Sequence, residues 1–393
     1  MTGSLALLWT TFRKEVLDGS RDRRSILSLV FSAMVSPLLF GLLFTVAAER
    51  RRSADEIELP VQGAQYAPAF TAWLKQQSGV TIVAPPADPE KAVASRDVDV
   101  VLIIEPEFEK NIAKAVPAPV KLVSDVTRDQ ARPKVARVRN LVAMYSGQIG
   151  GLRLIARAVA PSVATAVRMQ EVEVSSSQQR LATQLSILPL LLVIAALTGG
   201  LQLAIDSTAG ERERGSLEPL LLNPVPRKVL AAGKWLASSL FGCCALLFSM
   251  VLTMNVMWRV PWHDLGIRFR VSDGALLSLL ALIVPLAFFL SALVMFASTF
   301  ARSFKEAQSY LGMLMLVPML PGLVSTMYPL AGRPWLAPIP VLGQYALAAD
   351  VLGGKPPHVM FYLLAGVSVL LCAGILVALT ARMLKREAIV FGR

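Results

Sequence analysis

Charged residues are scarce in this sequence, and so are the residues that most often carry chemistry. Only 17% of its 393 residues are Asp, Glu, Lys or Arg, and it has two histidines and three cysteines. The cysteines, Cys243, Cys244 and Cys372, all lie in apolar stretches, which argues against a disulfide framework and against zinc-ligand spacing. No HExxH or GxSxG motif occurs, so the sequence predicts no metal site and no catalytic residue.

Hydrophobic residues, in contrast, are abundant. They make up 54% of the chain, and the mean hydropathy is +0.57, which indicates a membrane protein. In a soluble protein the net charge of +12 would suggest a nucleic-acid partner. In a membrane protein it indicates basic segments kept on the cytoplasmic side, so no nucleic-acid partner is predicted.

Six stretches are long and apolar enough to cross the hydrocarbon core as helices, which takes about 20 residues each. None of them contains Lys, Arg, Asp or Glu. The predicted spans are residues 26–48, 185–205, 235–257, 275–301, 310–331 and 359–381. An even number of spans places both termini on the same side of the membrane.

Basic residues are unevenly divided between the two sides. Most lie before span 1, between spans 2 and 3, between spans 4 and 5, and after span 6. This asymmetry predicts that both termini are cytoplasmic. Three arginines, residues 50–52, follow span 1 on the outer side, but they open a long translocated region, where the charge rule weakens.

Residues 49–184 form a polar region between spans 1 and 2 that is long enough for a domain of its own. Short β-rich runs at 80–84, 98–104 and 119–123 are separated by helical or proline-bearing segments, which predicts an extracytoplasmic α/β domain. A long helix is predicted after them. Its apolar side chains recur at three- and four-residue steps at Val135, Val138, Val142, Tyr145, Ile149, Leu152, Ala156 and Val159. Such a seam packs either on the domain's own sheet or against the same helix of a second copy.

The first 25 residues predict an amphipathic helix and a basic linker. Arg13, Lys14 and Asp18 lie around the helix away from one apolar face. That face comprises Leu5, Leu8, Trp9, Phe12 and Val16. A helix of this kind lies along a membrane surface. The "DGSRDRRS" stretch after it suits anionic headgroups, an acidic partner surface, or simply the positive flank of a span.

The stretch "GERERGSLEPLLLNPVPR", residues 210–227, lies between spans 2 and 3. Ser216 is the predicted N-cap of a short helix, with Glu218 in its first turn, and Asn223-Pro224 is predicted to end it. A leucine triplet beside clustered charges indicates a docking surface for another protein. The nearby "KVLAAGKW" lacks the glycine and Ser/Thr positions of a phosphate loop, so nucleotide hydrolysis is predicted in a partner.

The order of these features resembles the type-2 ABC exporter permeases, and within them the sodium-export branch typified by NatB. An amphipathic helix with "RDRRS", a span, a large outer domain and five further spans follow in that order, with the 210–227 stretch and Gly233-Lys234 after the second span. The stretch "DVDVVLIIEPEFEKNI", residues 97–112, also resembles the outer domain of such permeases. The resemblance covers essentially the whole chain.

The resemblance implies a mainly α membrane protein with six transmembrane helices, an N-terminal amphipathic surface helix and an α/β extracytoplasmic domain. The expected divisions are the helix and linker at 1–25, span 1 at 26–48, the outer domain at 49–184, spans 2–6 at 185–381 with a cytoplasmic coupling loop at 206–234, and a cytoplasmic tail at 382–393.

The resemblance also implies partners. Two permease chains, as a homodimer in the bilayer, bind two copies of a separate ABC ATPase, which holds ATP and Mg²⁺, while this chain carries no cofactor. The implied ATPase-coupling residues are Glu211, Glu213, Gly215, Ser216, Glu218, Leu220 and Leu221. A second cytoplasmic contact would use Arg302, Lys305 and Glu306, and the surface helix, with Leu5, Leu8, Trp9, Phe12 and Val16, would brace span 1.

The implied function is ATP-driven efflux. The resemblance suggests Na⁺ as the substrate, but ionisable residues inside the membrane usually mark an ion pathway, and the predicted spans lack them. A drug, lipid or peptide fits the residues equally well. The alternative function is a membrane receptor or scaffold whose outer domain binds a component of the cell envelope.

Overall fold

The computed structural model describes residues 2–125, 128, 131–164, 177–262, 271–328 and 330–385. The last eight residues of the predicted tail therefore lie outside the described residues. The helices are α1 Thr2–Arg21, α2 Arg23–Asp55, α3 Pro68–Lys75, α4 Pro89–Ala94, α5 Phe108–Ala113, α6 Ala131–Ala156, α7 Ser177–Gln184, α8 Leu188–Ile205, α9 Glu211–Glu213, α10 Leu217–Leu222, α11 Arg227–Met257, α12 Asp273–Ser298, α13 Phe304–Met327, α14 Leu342–Leu352 and α15 Val359–Met383. The strands are β1 Ile57–Gln62, β2 Val80–Val83, β3 Val100–Ile104 and β4 Val120–Ser124.

The chain folds as two compact units. The first comprises Met1–Phe44 and Ser175–Arg393, and the second comprises Thr45–Val174. The first unit is helical in its described residues, whereas the second contains the four strands.

Six helices are long and apolar enough to cross a membrane. They are Arg23–Glu49, Leu188–Glu213, Arg227–Met257, Asp273–Ser298, Phe304–Met327 and Val359–Met383. Each predicted span lies largely on one of them, because a run of about 20 apolar residues has few other ways to satisfy its backbone in lipid. α8 packs against α11, α12 and α13. Its most apolar stretch is more buried inside the protein than the corresponding stretch of any of the other five helices.

The helix ends differ from the predicted ends of the spans. Span 5, expected at 310–331, lies on a helix that begins at Phe304, where Ser303 is the N-cap and its hydroxyl accepts the backbone N–H of Glu306 at 3.2 Å. The helix ends at Met327, and Tyr328 is extended. Tyr328 precedes a proline in the sequence, and residues before proline avoid the helical region. The absence of charged residues identified the part of this helix that is apolar enough to cross lipid. The cap at Ser303 determines where the helix begins.

α14 lies outside the six predicted spans. It lies between spans 5 and 6, packs against α12 and α13, and is buried over nearly all its length. Its Asp350 accepts the backbone N–H of Gly332 at 2.6 Å, and Tyr345 donates its hydroxyl to the carbonyl of Pro318 at 3.1 Å. At 11 residues α14 is too short to cross the membrane, which is why hydropathy alone does not mark it.

The second unit is built on a four-stranded sheet with strand order β2-β1-β3-β4. β1 pairs in parallel with β2 and β3, and β3 pairs antiparallel with β4. The three predicted β-rich runs correspond to β2, β3 and β4, with helical segments between them. Leu59, Phe70, Leu74 and Leu102 form the centre of the core.

The sequence analysis did not predict β1, which is a central strand of the sheet. Its "IELPVQ" holds Pro60, which lacks a backbone donor and usually argues against a central strand. The strand ends at Gln62, and the φ of +78° at the following Gly63 lies in the left-handed region. A Cβ at Gly63 would overlap the carbonyl oxygen of Ile104, so β3 lies directly against this glycine.

α6 uses only the first half of its apolar seam on its own sheet. Val135 and Val138 are buried in the core of the second unit, and Val142 and Tyr145 pack on that core. Leu152, further along the seam, is 55% exposed. The interpretation that the seam packs on its own sheet therefore holds for the first half of α6.

We expect Gly63→Ala to destabilise the second unit by about 1–3 kcal/mol, because Ala must adopt a positive φ and displace β3. Hydrogen exchange of the β1 and β3 amides in the full-length protein should become faster by the factor that corresponds to this loss of stability. The control is Gly147→Ala in α6, where an added Cβ meets nothing within 4 Å. Equal protection in the two variants would show that Gly63 is not required.

Candidate coupling site

The segment between spans 2 and 3 first continues the helix of span 2. After α8, residues Asp206–Gly210 form a π-helical turn, and α9 follows without a break. π-turns insert one residue into a helix and are frequent at functional sites. Immediately after this turn, Glu211 is only 6% exposed. The charged "GERER" stretch is therefore part of a helix and not a free loop.

Gly215 ends this helix in a Schellman motif. Its φ is +68°, its N–H bonds the carbonyl of Arg212 at 3.0 Å, and the N–H of Ser216 bonds the carbonyl of Glu211 at 3.0 Å. The motif requires a left-handed residue at this position, and glycine adopts that conformation without a Cβ penalty. Gly215 therefore turns the chain toward α10.

Ser216 is the N-cap residue of α10 and Glu218 lies in the first turn, as predicted, but the side chain of Ser216 makes no capping hydrogen bond. Its backbone is helical, at φ −78° and ψ −13°, and its hydroxyl donates to the carbonyl of Glu211 at 3.2 Å. The preceding Schellman turn has already fixed that geometry. The other end agrees with the prediction: Asn223 is extended before Pro224, and its side-chain amide donates to the carbonyl of Pro219 at 3.2 Å.

The four leucines of α10 point in different directions. Leu221 is 9% exposed and Leu217 is also buried, both in the core of the first unit, and Leu220 packs partly on that core. Leu222 is 87% exposed. The predicted docking pair Leu220 and Leu221 therefore faces inward. The outward apolar residue is Leu222, four positions after the exposed Glu218 and hence on the same face.

Glu211 belongs to a group of four charged side chains, which we call the ionic ring: Lys14 and Glu15 of α1, Glu211 of α9 and Lys234 of α11. Nζ of Lys234 lies 2.9 Å from Oε1 of Glu15 and 2.7 Å from Oε2 of Glu211, the latter an ion pair without hydrogen-bond alignment. Nζ of Lys14 lies 3.0 Å from Oε1 of Glu15 and 3.1 Å from Oε1 of Glu211. Each carboxylate contacts both ammonium groups, so the ring has no net charge.

Most of the ionic ring is shielded from solvent. Glu15 and Lys234 are 3% and 2% exposed, whereas the side chain of Lys14 closes the ring at its open side. Burial by itself lowers the pKa of Lys14, but the attraction of Glu15 and Glu211 outweighs it and raises this pKa above its ordinary value. Lys14 is therefore protonated at physiological pH.

α1 is held against α11 beside the ionic ring. A Cβ at Gly233 would lie 2.7 Å from Cγ2 of Thr11, so the two helices approach closely there. Phe12 and Val16 pack with Leu203, Ala237 and Phe241. Of the remaining predicted face, Leu8 is half-buried, whereas Leu5 and Trp9 are 68% and 63% exposed.

The second predicted cytoplasmic contact joins the same assembly. The backbone N–H of Phe304 donates to Oε2 of Glu213 at 2.7 Å, and the guanidinium of Arg212 donates to the carbonyl of Ala301 at 3.1 Å. Glu306 is engaged within its own helix end: it accepts the N–H of Arg302 at 2.6 Å and the hydroxyl of Tyr310 at 2.9 Å. Arg302 and Lys305 are exposed.

Comparison with known proteins identifies the family of this chain. The model of the ABC-2 family transporter proteins matches residues 9–381. This chain belongs to that family. It is 29% identical over 316 residues, which are 79% of this chain and 80% of its relative, to the ABC transporter permease protein NatB of Bacillus subtilis (strain 168). No solved structure matches this chain.

Membership of the ABC-2 family confirms the resemblance found in the sequence. The chain is the multi-pass membrane permease subunit of an ABC transporter, and ATP hydrolysis belongs to an ABC ATPase partner. Within this ABC-2 permease, the structure brings the predicted residues Glu211 and Glu213 together with α1, α11 and the start of α13.

Sequence reading of the ABC-2 permease missed the ionic ring, although a signal was present. Glu15 and Lys234 each interrupt a largely apolar surface, Glu15 between Phe12 and Val16 and Lys234 within "LAAGKWLAS". A charge on a surface that will be buried requires a charged partner. The sequence does not say which charges pair, since α1 is far from α9 and α11 in the chain.

We expect Lys234→Met to destabilise the permease by about 3–5 kcal/mol, because it leaves two buried carboxylates with one ammonium group. The measurement is thermal unfolding of the purified chain in one detergent. Lys228→Met, at an exposed position of the same helix, should change stability by no more than about 0.5 kcal/mol. Adding Glu211→Gln to Lys234→Met should recover part of the loss, and failure to do so would contradict the ring.

Proposed function

We propose that this ABC-2 permease exports its substrate with energy received through α10. The exposed face of α10, Glu218 and Leu222, binds a groove of the ABC ATPase, which holds ATP and Mg²⁺. The observation that carries the proposal is the 87% exposure of Leu222 on a helix whose Leu217 and Leu221 are buried. A leucine held out from a fixed helix supports a docking role for this face.

The rigidity of the segment supports force transmission. A six-residue helix is not stable alone, so α10 depends on the packing of Leu217 and Leu221 and on the Schellman turn at Gly215. A segment fixed in this way moves with its neighbours, whereas a flexible loop would absorb the displacement. Glu213 and Gly215 thus act by holding α10 in place.

The contacts of the coupling site define what would move together. The ionic ring connects α9 to α1 and α11, and the Arg212 and Glu213 contacts connect α9 to the segment that starts α13. A displacement of α10 would therefore reach spans 2, 3 and 5 and the N-terminal helix. Arg302 and Lys305, exposed at the start of α13, provide the second contact with the ATPase.

The N-terminal helix is the proposed membrane-surface element. Leu5 and Trp9 are exposed while Phe12 and Val16 are packed on the core. An exposed Trp and Leu on a helix joined to a span suit insertion into the headgroup region. In this arrangement both termini and residues 206–234 are cytoplasmic, and the second unit is extracytoplasmic.

The proposed assembly is a homodimer of permease chains in a prokaryotic inner membrane. The windows of spans 1, 5 and 6 are mostly unburied within one chain, which leaves apolar surface for lipid and for a second copy. Because the six apolar stretches of the sequence contain no Lys, Arg, Asp or Glu, a drug, lipid or peptide fits this permease at least as well as Na⁺ does.

We expect Glu218→Lys to weaken capture of the ATPase by at least about tenfold, because it reverses a charge on the docking face. The measurement is the ATPase activity that co-purifies with the tagged full-length chain. Glu90→Lys makes the same charge change at an exposed position of the second unit and should have no effect. Full capture and full transport by Glu218→Lys would exclude α10 as the coupling element.

We expect Leu222→Cys, in a chain whose Cys243, Cys244 and Cys372 are replaced by Ala, to react with a membrane-impermeant maleimide only in inverted vesicles. Glu90→Cys should react only in right-side-out vesicles. The reason is the proposed cytoplasmic position of α10 and extracytoplasmic position of the second unit. Labelling of Leu222→Cys from the outside would reverse the orientation.

A further inference from the structure

The second half of α6 exposes a largely apolar face that the core of the second unit does not use. The seam of the first half, through Tyr145, packs on the sheet. Four other side chains follow one another at steps of three or four residues and are all exposed, which places them on one face of the helix. We call this the outer face of α6: Met144, Gln148, Leu152 and Ile155. Met144, Leu152 and Ile155 are 58%, 55% and 60% exposed.

The outer face carries no charge. Residues 141–156 contain a single charged residue, Arg153, whose guanidinium donates to the carbonyl of Ile112 at 2.9 Å. Arg153 and Ile155 lie about 160° apart around the helix, because each residue advances it by about 100°. Since α6 is one uninterrupted helix whose first half is packed on the sheet, the outer face has a fixed direction within the second unit.

The chemistry of the outer face limits what can cover it. An uncharged surface offers no complementary charge to an acidic or a basic partner. Helices that lie in a membrane surface carry Trp, Lys or Arg around their apolar face, whereas this face holds a glutamine and no aromatic residue. Aliphatic side chains at three- and four-residue steps are the pattern by which two helices pack side by side. The outer face therefore suits another helix of the same kind.

The size of the outer face indicates a partner that is already held nearby. A helix face over residues 144–155 has a footprint of roughly 18 by 10 Å, or roughly 200 Å², whereas a contact that is stable alone buries about 800 Å² on each partner. A contact this small persists only where another attachment keeps both sides at a high effective concentration. In the homodimer proposed above, the spans give a second copy of this chain that attachment.

We propose that the outer face of α6 packs against the outer face of α6 in a second copy of the chain. The inference rests on the proposed homodimer and adds to it a contact between the two second units. Near a two-fold axis each residue meets its own counterpart, so an uncharged apolar face is complementary to itself. The pairing removes Met144, Leu152 and Ile155 from water and joins the second units of the two chains.

The test uses the full-length chain, without its native cysteines, in the membrane of the expressing cell. Single cysteines are placed on the outer face, as Gln148→Cys or Ile155→Cys, and the membranes are treated with a short bismaleimide. The matched control is Ser146→Cys. Ser146 is also exposed, and it lies about 160–180° around the same helix from the two test positions.

Each outer-face cysteine should give at least about tenfold more cross-linked dimer than Ser146→Cys, because only the outer-face positions lie opposite their counterparts. Adding Ile155→Glu to Gln148→Cys should lower its cross-linking by about tenfold, since two like charges would then meet in the contact. Adding Ser146→Glu to Gln148→Cys introduces the same charge on the other side of the helix and should leave the cross-linking unchanged.

Equal cross-linking at the three cysteine positions, or no effect of Ile155→Glu, would overturn the pairing of the outer faces. Co-purification of two differently tagged copies tests the homodimer separately. If the copies co-purify but the outer-face cysteines do not cross-link, the α6 pairing is wrong and the homodimer stands. If neither result is obtained, both proposals fail. A cross-linked product that contains another protein in place of the second copy would assign the outer face to that protein and overturn the pairing.

Discussion

The arrangement of the coupling site depends on one electrostatic constraint, which is that buried charges must meet charges of the opposite sign. Glu15, Glu211 and Lys234 are almost fully buried, and burying any of these charges without a partner of opposite charge would destabilise the fold. Satisfying all three, with Lys14 closing the ring, requires α1, α9 and α11 to meet at one point. Apolar packing alone can slide by part of a helical turn, whereas a closed ring of four charges fixes the relative positions of the three helices.

Around this ring the connection between spans 2 and 3 is a continuous, fixed element. The π-turn carries the helix of span 2 onward to α9, Gly215 reverses the chain, and two buried leucines fasten α10 to the core. The Glu213 carboxylate accepts the backbone N–H of Phe304 and the Arg212 guanidinium donates to the carbonyl of Ala301, which adds the segment around the start of α13. The residues that sequence reading assigned to contact with a partner thus divide into two groups. Glu211 and Leu221 hold the element together, whereas Glu218 and Leu222 are presented outward.

Much of the helical framework could be predicted because crossing lipid imposes a length and a composition that are visible in any window of about 20 residues. The prediction was less successful wherever structure depends on a neighbour. β1 was missed because Pro60 argues against a central strand, although only its pairing with β2 and β3 shows that the missing donor is tolerated. Ser216 lies at the predicted N-cap position but makes no side-chain cap, because the turn at Gly215 had already determined the local backbone. α14 was missed because a short helix buried on all sides has no polar face to mark its period.

The sequence by itself determined the class of protein, the number of candidate spans, the short helix between spans 2 and 3 and the resemblance that family membership confirms. These properties are local, since hydropathy, turn residues and motif order are read along the chain. Only the tertiary structure decided that Leu222 and not Leu221 faces outward, and that Lys234 pairs with Glu15 and Glu211. Burial and ion pairing are set by groups up to 219 residues apart in sequence, and no local pattern specifies which of them will meet.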